Sequence, residues 1–307
     1  MTTAIETLKQ AYWSMREHLP IWRKRKLRSL KRHLLGRWEG EHSIRREYKT
    51  FYGKELNLAN PQTFTEKLFK RKIMVNRYGN PMFTRLADKY LVRDYVREKI
   101  GADYLVDLLW HGADPKTIPF ENLPQKCIVK TNHGSGGNII LQDPVDRNHV
   151  VNTLRRWLKD NFYFVGHEYQ YYKIKPQIVV EQFLDDGHAN GPIDYRFWCF
   201  SGCPEIIQVD NHSHSINQFY DPDWNRLLLR YRDGVAECDI HAPENLSEML
   251  LVASKLSADF DFVRVDLYNI KGKIYFGELT FTPVAGFLKF KPESWDMILG
   301  QKWGKAA

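Results

Sequence analysis

Apolar residues in the first forty positions recur at alternating steps of three and four. Ile5, Leu8, Tyr12, Met15, Leu19 and Trp22 form one stripe; Leu27, Leu30, Leu34 and Trp38 form a second. An α-helix turns every 3.6 residues, so this spacing predicts amphipathic helix over 1–38, broken or kinked at Pro20. Residues 60–101 keep a helical pattern. Asn60-Pro61-Gln62-Thr63 reads as a turn leading into a charged helix. A further helix is expected from near Phe83 through Ala87-Asp88-Lys89 to a C-cap at Gly101.

From about residue 103 the pattern changes. Short apolar runs at 127–130, 138–141, 177–180, 195–200, 204–209, 262–268 and 273–279 predict strands, with helices near 147–160 and 244–258. Strands follow one another through short turns, and few are separated by a crossover helix, so the expected class is α+β. Pro119 and Pro124 bracket one expected boundary, and residues 185–192 form another. The organisation predicted is a basic helical segment (1–50), a helical region (51–125) and two α+β units (126–190 and 191–307).

Charge sharpens the first of these. The 307 residues carry a net charge of +8, and residues 1–50, with 13 Lys/Arg and 5 Asp/Glu, account for all of it. Arg23, Lys24, Arg25, Lys26, Arg28, Lys31 and Arg32 lie between and around these stripes. Two readings stay open: an amphipathic helix on an anionic membrane surface through residues 16–38, or a helix docked on its own domain with a solvated basic face. No nucleic-acid recognition motif is present, so no specific nucleic-acid partner is expected. No apolar run reaches the roughly 18–20 residues that span a bilayer, and the N-terminus does not read as a signal peptide. Four irregularly spaced cysteines fit a reducing compartment, so the expected location is cytoplasmic, or peripheral at the inner face of the cell membrane.

Two stretches carry chemistry. Cys127-Ile-Val-Lys130-Thr-Asn-His133-Gly134-Ser135-Gly136-Gly137-Asn138 reads as strand, Gly-rich loop, strand. Such a loop can offer backbone N–H groups to phosphate oxygens, with Lys130 as a point charge; a plain hairpin turn reads equally well. It is neither a Walker A loop nor a dinucleotide fingerprint, because no Gly-Lys-Ser/Thr follows and no third glycine opens a helix. The second stretch is Phe262-Val-Arg264-Val-Asp266-Leu-Tyr268, then Ile274-Tyr-Phe-Gly-Glu278-Leu-Thr280-Phe-Thr-Pro283. Period-two alternation puts Arg264, Asp266 and Tyr268 on one strand face and Glu278 with Thr280 on a face of the next. A three-residue loop centred on Gly272 would set Asp266 opposite Glu278. Two carboxylates facing each other suit a hard cation such as Mg²⁺; a plain surface cross-strand pattern is the alternative.

Together these stretches resemble the ATP-grasp superfamily. Asp88-Lys89 is similar to its N-terminal Asp-Lys, and Lys130 with the loop after it to its second phosphate lysine and lid. Arg264-Val-Asp266 and Glu278-Leu-Thr280-Phe-Thr-Pro283 resemble its Arg-x-Asp and Glu-x-Asn-x-x-Pro pair. Thr280 stands where most members have Asn. The phrases Leu86-Ala-Asp-Lys-Tyr-Leu-Val-Arg, Val129-Lys-Thr-Asn-His-Gly-Ser-Gly, Asp194-Tyr-Arg-Phe-Trp-Cys-Phe-Ser-Gly, Phe219-Tyr-Asp-Pro-Asp-Trp and Gly277-Glu-Leu-Thr-Phe-Thr-Pro resemble the TupA-like ATP-grasp family. That resemblance implies two α+β subdomains clamping ATP, and ATP-dependent joining of a carboxylate to an amine in cell-surface polysaccharide assembly. Its implied partners are a glycan or uronic acid and an amine or amino acid. It implies catalytic roles for Arg264, Lys130 and Arg196, and Mg²⁺ on Asp266, Glu278 and Thr280. Nucleotide contacts are implied for Lys89, Lys130, His133, Ser135, Gly136, Gly137, Glu181, Gln182, Phe183, Leu184 and Asp186, with Asp185 as an alternative ribose acid. A glycosyltransferase using a nucleotide-sugar is the competing enzyme reading, and a basic adaptor without catalysis is the non-enzymatic one. His212 and His214 with Cys199 and Cys203 lack zinc-type spacing, and the aromatic run from Phe162 to Tyr172 reads as sugar-stacking or as core.

Overall fold

A computed structural model describes residues 40–187, 192–211, 215–232 and 240–304. The expected helix over 1–38 and the His212/His214 pair lie outside the described residues. The chain is α+β as expected, with two antiparallel sheets flanked by helices.

Helix α1 covers 40–52 and α2 covers Phe64–Tyr78. The turn before α2 ends in a capping box. Thr63 Oγ1 accepts from the N–H of Glu66, and Glu66 Oε2 accepts from the N–H of Thr63 at 3.1 Å. The charged face of α2 is not solvated as a whole. Arg71 is buried and donates to the carbonyls of Phe262 and Phe281 at 2.8 and 3.0 Å, and buried Lys72 donates to Ala285 O at 2.8 Å. The single helix expected from Phe83 to Gly101 is two, α3 (Pro81–Ala87) and α4 (Val92–Ile100). The chain turns at Asp88 because its carboxylate accepts from the N–H groups of Tyr90 and Leu91 at 2.8 and 3.2 Å, which competes with helix continuation.

The first sheet is ordered β1-β4-β2-β3, from β1 (Leu108–Gly112), β2 (Lys126–Thr131), β3 (Asn138–Gln142) and β4 (Ile178–Gln182). Between β3 and β4 come α5 (Arg147–Trp157) and the short α6 (Tyr163–Gly166). β1 was not legible as a strand. It lies in the 51–125 stretch, yet it pairs with β4 at the sheet's edge. Cys127, Val129, Ile178 and Val180 pack with Val150 and Leu154 of α5. The alternate positions Lys130 and Glu181 therefore take the opposite face.

The second sheet is ordered β7-β6-β5-β8-β9. It is built from β5 (Asp194–Phe200), β6 (Cys203–Asp210), β7 (Asn217–Tyr220), β8 (Phe262–Ile270) and β9 (Lys273–Thr280). The four-residue β7 carried no strand pattern of its own. Helix α7 (Leu246–Ser257) covers one face together with α3 and α4, burying Phe197, Cys199, Val263, Val265 and Leu267 against Met249, Val252 and Leu256. The other face is divided. Trp198, Phe200 and Phe262 pack under Phe64 and Leu68 of α2 and Leu299 of α8 (Ser294–Lys302). The same face at the opposite strand ends carries Asp194, Arg196, Arg264, Asp266 and Glu278.

The β8–β9 register places Asp266 opposite Glu278, but by another route than the sequence suggested. The hairpin loop is two residues, Lys271-Gly272, both with positive φ (53° and 85°), the type I′ pattern. Alone, that loop would oppose Asp266 to Gly277. A bulge between Asp266 and Leu267 shifts the pairing by one residue. Gly277 permits it, since a Cβ there would lie 2.9 Å from the carbonyl oxygen of Asp266. Gly277→Val should therefore cost about 1–3 kcal/mol of stability in urea denaturation. An unchanged midpoint would contradict the close approach.

Candidate active site

The polar half of the second sheet and the Lys130/Glu181 face of the first come together around Lys89, which feels Glu278 of one and Lys130 and Glu181 of the other. Arg264 holds Asp266 in a bidentate clasp, Nε to Oδ1 at 2.7 Å and Nη2 to Oδ2 at 2.6 Å. Its Nη2 also reaches Glu278 Oε1 at 3.3 Å and Thr280 Oγ1 at 3.2 Å, and Thr280 donates to Glu278 at 2.9 Å. Arg196 is held by Asp194 at 2.7 Å and by fully buried Asp210, and its Nε lies 3.6 Å from Asp266. Asn217 Nδ2 donates to the same Asp210 oxygen at 3.0 Å.

Two carboxylates this close cannot both keep ordinary acidities. Burial, reinforced by Glu278, pushes Asp266 up to about 7 against the pull of Arg264 and Arg196. Glu278 moves the other way. Burial would raise it, but Lys89, Arg264 and the Thr280 hydroxyl together hold it below the usual carboxylate range. Burial lowers Lys89, while Glu278 of one sheet and Glu181 of the other pull it back and Lys130 repels it. Lys89 therefore lies where the two sheets meet.

The first sheet contributes Lys130, whose Nζ donates to Glu181 Oε2 at 2.9 Å. The other oxygen of Glu181 accepts from Arg93 of α4 at 3.1 Å, and Arg93 also donates to Val106 O at 2.8 Å. Beyond β4 the chain runs through Phe183, Leu184, Asp185 and Asp186 toward β5. Gln182 is exposed and its N–H donates to Asp107 O at 3.0 Å. Lys126 lies over the Phe183 ring at 3.9 Å and 3.8 Å from Asp185, while Asp186 accepts from the N–H of Ile193 at 3.1 Å.

The Gly-rich segment is the loop between β2 and β3. Ser135 and Gly136 are exposed, and Gly136 has φ +79°, which favours glycine. Gly134 and Gly137 serve packing: a Cβ would meet Phe162 at 3.1 Å and Trp157 at 3.4 Å respectively. His133, expected at the nucleotide, is buried instead, with Nε2 at 3.2 and 3.1 Å from the carbonyls of Trp157 and Asp160 at the end of α5. The aromatic run from Phe162 to Tyr172 packs mainly on itself, with Tyr169 and Tyr172 stacked at 5.2 Å. Cys199 is buried and Cys203 exposed, both free, and no group of three or more His, Cys, Asp or Glu is placed to hold a metal among the described residues.

The donor set at Asp266, Glu278 and Thr280 is all oxygen, and two carboxylates are what a phosphate-bound Mg²⁺ asks of a protein. The residues present fit such an ion delivered with a nucleotide. Arg93 and Asn132 were missed from sequence. Arg93 is one of many arginines on a charged helix, and only the fold brings it to Glu181.

The family described as TupA-like ATP-grasp matches residues 66–303. No curated protein matches the chain in sequence. Among solved structures, it is similar to the ATP complex of D-alanine–D-alanine ligase from Bacillus anthracis, at 15% identity and a TM-score of 0.41, covering 68% of this chain and 60% of that one. An L-amino acid ligase from Bacillus licheniformis gives 15% identity and a TM-score of 0.43, covering 80% and 55%. The chain thus spans less than two thirds of the length of either neighbour, and the family assignment rests on the family match alone.

His133 yields a pH prediction. Burial, with Lys89 nearby, lowers its pKa below the ordinary 6.5, against the pull of the Trp157 and Asp160 carbonyls and the Asp160 charge. The unfolded chain then binds the extra proton first. Stability that His133 supplies is complete above pH about 6.5 and falls as pH drops below it. His133→Gln should flatten the melting temperature between pH 6.5 and 5.5; an unchanged slope would refute the assignment. The match across residues 66–303 establishes that the chain belongs to the TupA-like ATP-grasp family.

Proposed function

We propose that this protein is an ATP-dependent carboxylate–amine ligase acting in cell-surface polysaccharide assembly. The observation that carries the reading is that Lys89 and Lys130 lie close to each other and Lys89 also close to Glu278, which shares a strand face with Arg264 and Asp266. Three cations beside two carboxylates suit a polyphosphate chain that arrives with Mg²⁺. A carboxylate is a poor electrophile at neutral pH. Its oxygen attacks the γ-phosphorus, an O–P bond forms, the bond to the β-phosphate oxygen breaks, and ADP leaves. The amine nitrogen then attacks the acyl carbon, a C–N bond forms, phosphate departs and the nitrogen loses its proton.

In this reading Lys89 and Lys130 bind phosphate oxygens, and Arg264 neutralises the oxyanions of the acyl phosphate and of the tetrahedral species. Arg196 orients Asp266 from the neighbouring strand, held by Asp194 and Asp210. Mg²⁺ bound by Asp266, Glu278 and Thr280 would neutralise phosphate charge. The backbone after β4, from Gln182 to Leu184, borders the adenine, with Asp186 or Asp185 on the ribose. The loop at 133–137 closes over the phosphates and excludes water, which would otherwise hydrolyse the acyl phosphate. The units 126–190 and 191–307 act as the two jaws. A glycan or uronic acid supplies the carboxylate, and an amine or amino acid accepts it.

Melting curves with Mg²⁺ and ATP, ADP or UDP-sugars test the nucleotide class. Stabilisation by ATP and ADP is expected; stabilisation by UDP-sugars alone would replace the ligase with a glycosyltransferase. Lys130→Ala and Glu278→Ala should each lower turnover by at least about 100-fold while leaving the fold intact, and activity close to the parent in either would refute the site.

The N-terminal stripe suits an anionic membrane surface, which would place a cytoplasmic enzyme beside its glycan. Removing residues 1–38 should weaken binding to vesicles containing anionic lipid, with the deficit shrinking at high salt. Equal binding by both forms would remove the membrane from the proposal. No helix among the described residues is long and apolar enough to cross a membrane.

A further inference from the structure

Asn132 has no part in the reaction proposed above, yet it is fully buried, with 0% of its surface exposed, at the base of the Gly-rich loop. Its amide has four partners. Nδ2 donates to Asp88 Oδ2 at 2.8 Å and to Lys175 O at 3.0 Å, while Oδ1 accepts from the N–H of Gln177 at 2.7 Å and lies 3.3 Å from His133 Nδ1. The orientation is unambiguous. A carboxylate and a carbonyl can only accept and a backbone N–H can only donate, so a flipped amide would break all three bonds. The backbone of Asn132 adds two more, its N–H to Gln177 O at 3.0 Å and its C=O from the N–H of Lys89 at 3.1 Å.

Three segments far apart in sequence meet on this residue: the Asp88-Lys89 turn, the end of β2 two residues past Lys130, and the approach to β4. Asp88 completes the arrangement. One of its oxygens shapes the turn through Tyr90 and Leu91, and the other is held by Asn132. Lys89 then reaches the loop through its side chain as well, Nζ donating to Gly134 O at 2.7 Å. We infer that Asn132 is a positioning residue for Lys89, fixing the turn that carries it at a set distance from Lys130. A lysine side chain gives up rotamer freedom when held. A loosely anchored backbone would add to that cost at the moment phosphate binds, so the anchor bears on phosphate affinity.

The inference rests on the ligase reading, in which Lys89 meets nucleotide phosphate. The test is Mg²⁺–ATP and Mg²⁺–ADP binding by calorimetry on the full chain. Asn132→Asp keeps the shape but sets a carboxylate against Asp88, and affinity should fall about tenfold. Adding Asp88→Asn restores the 88/132 donor–acceptor pair with reversed polarity, and part of the loss should return, the contact to Lys175 O staying lost. Asn132→Asp in a Lys89→Ala background should cost nothing further, because the residue acts through Lys89. Equal losses in Asn132→Asp and the Asp88→Asn/Asn132→Asp swap, additive losses with Lys89→Ala, or parental affinity in Asn132→Asp would each overturn the inference while leaving the ligase reading intact. Failure of the parent chain to bind either nucleotide would overturn the ligase reading itself, and this inference with it. Should Asn132→Asp fail to fold, Asp88→Asn alone breaks the same contact without a buried charge pair, and the same tenfold loss is expected; parental affinity there would overturn the inference equally.

Discussion

Two carboxylates face each other across adjacent strands at Asp266 and Glu278, and the second sheet is arranged around that pairing. Left alone, like charges in a buried setting would push the strands apart or force protonation. Arg264, two residues from Asp266 on the same strand face, prevents this by binding Asp266 with two nitrogens and touching Glu278 with one. Arg196 supplies a second cation, itself balanced by Asp194 and Asp210. Opposed charges are thus packed on a sheet whose other face is mainly apolar.

The two faces divide the work. Val263, Val265 and Leu267 lie under α7, and their burial fixes β8 as an interior strand between β5 and β9. The alternate residues Arg264 and Asp266 inherit that placement. A strand buried on both sides places side chains more accurately than a loop can. Where the lower half of the polar face would have been open, the aromatic packing of Trp198, Phe200 and Phe262 under α2 closes it, which confines the charged groups to the opposite strand ends.

The first sheet repeats the scheme with lysine. Val129 and Val180 are buried under α5, so Lys130 and Glu181 point the other way. Lys89 belongs to neither sheet. It stands on a turn between two helices and is tied to the first sheet by backbone and side-chain hydrogen bonds centred on Asn132. The site therefore has two faces set by strands and one cation set by a hydrogen-bonded turn.

Alternation along β8 and β9 was enough to put Arg264, Asp266, Glu278 and Thr280 on shared faces, because a strand has period two wherever it is placed. The Gly-rich loop and its preceding lysine were legible for the same local reason. Strands β1 and β7 were not, since a short edge strand is defined by its partner rather than by its own residues. The turn at Asp88 was read as helix because its cause is a side-chain competition that helical spacing does not record. Only the tertiary structure decided that a bulge at Gly277, not the hairpin loop, sets the register. It alone gave His133 to the end of α5 and made Arg93 and Asn132 part of the site's scaffold. Each of these depends on a partner tens of residues away in the chain, and hydrogen bonds between distant segments leave no periodic trace in a sequence.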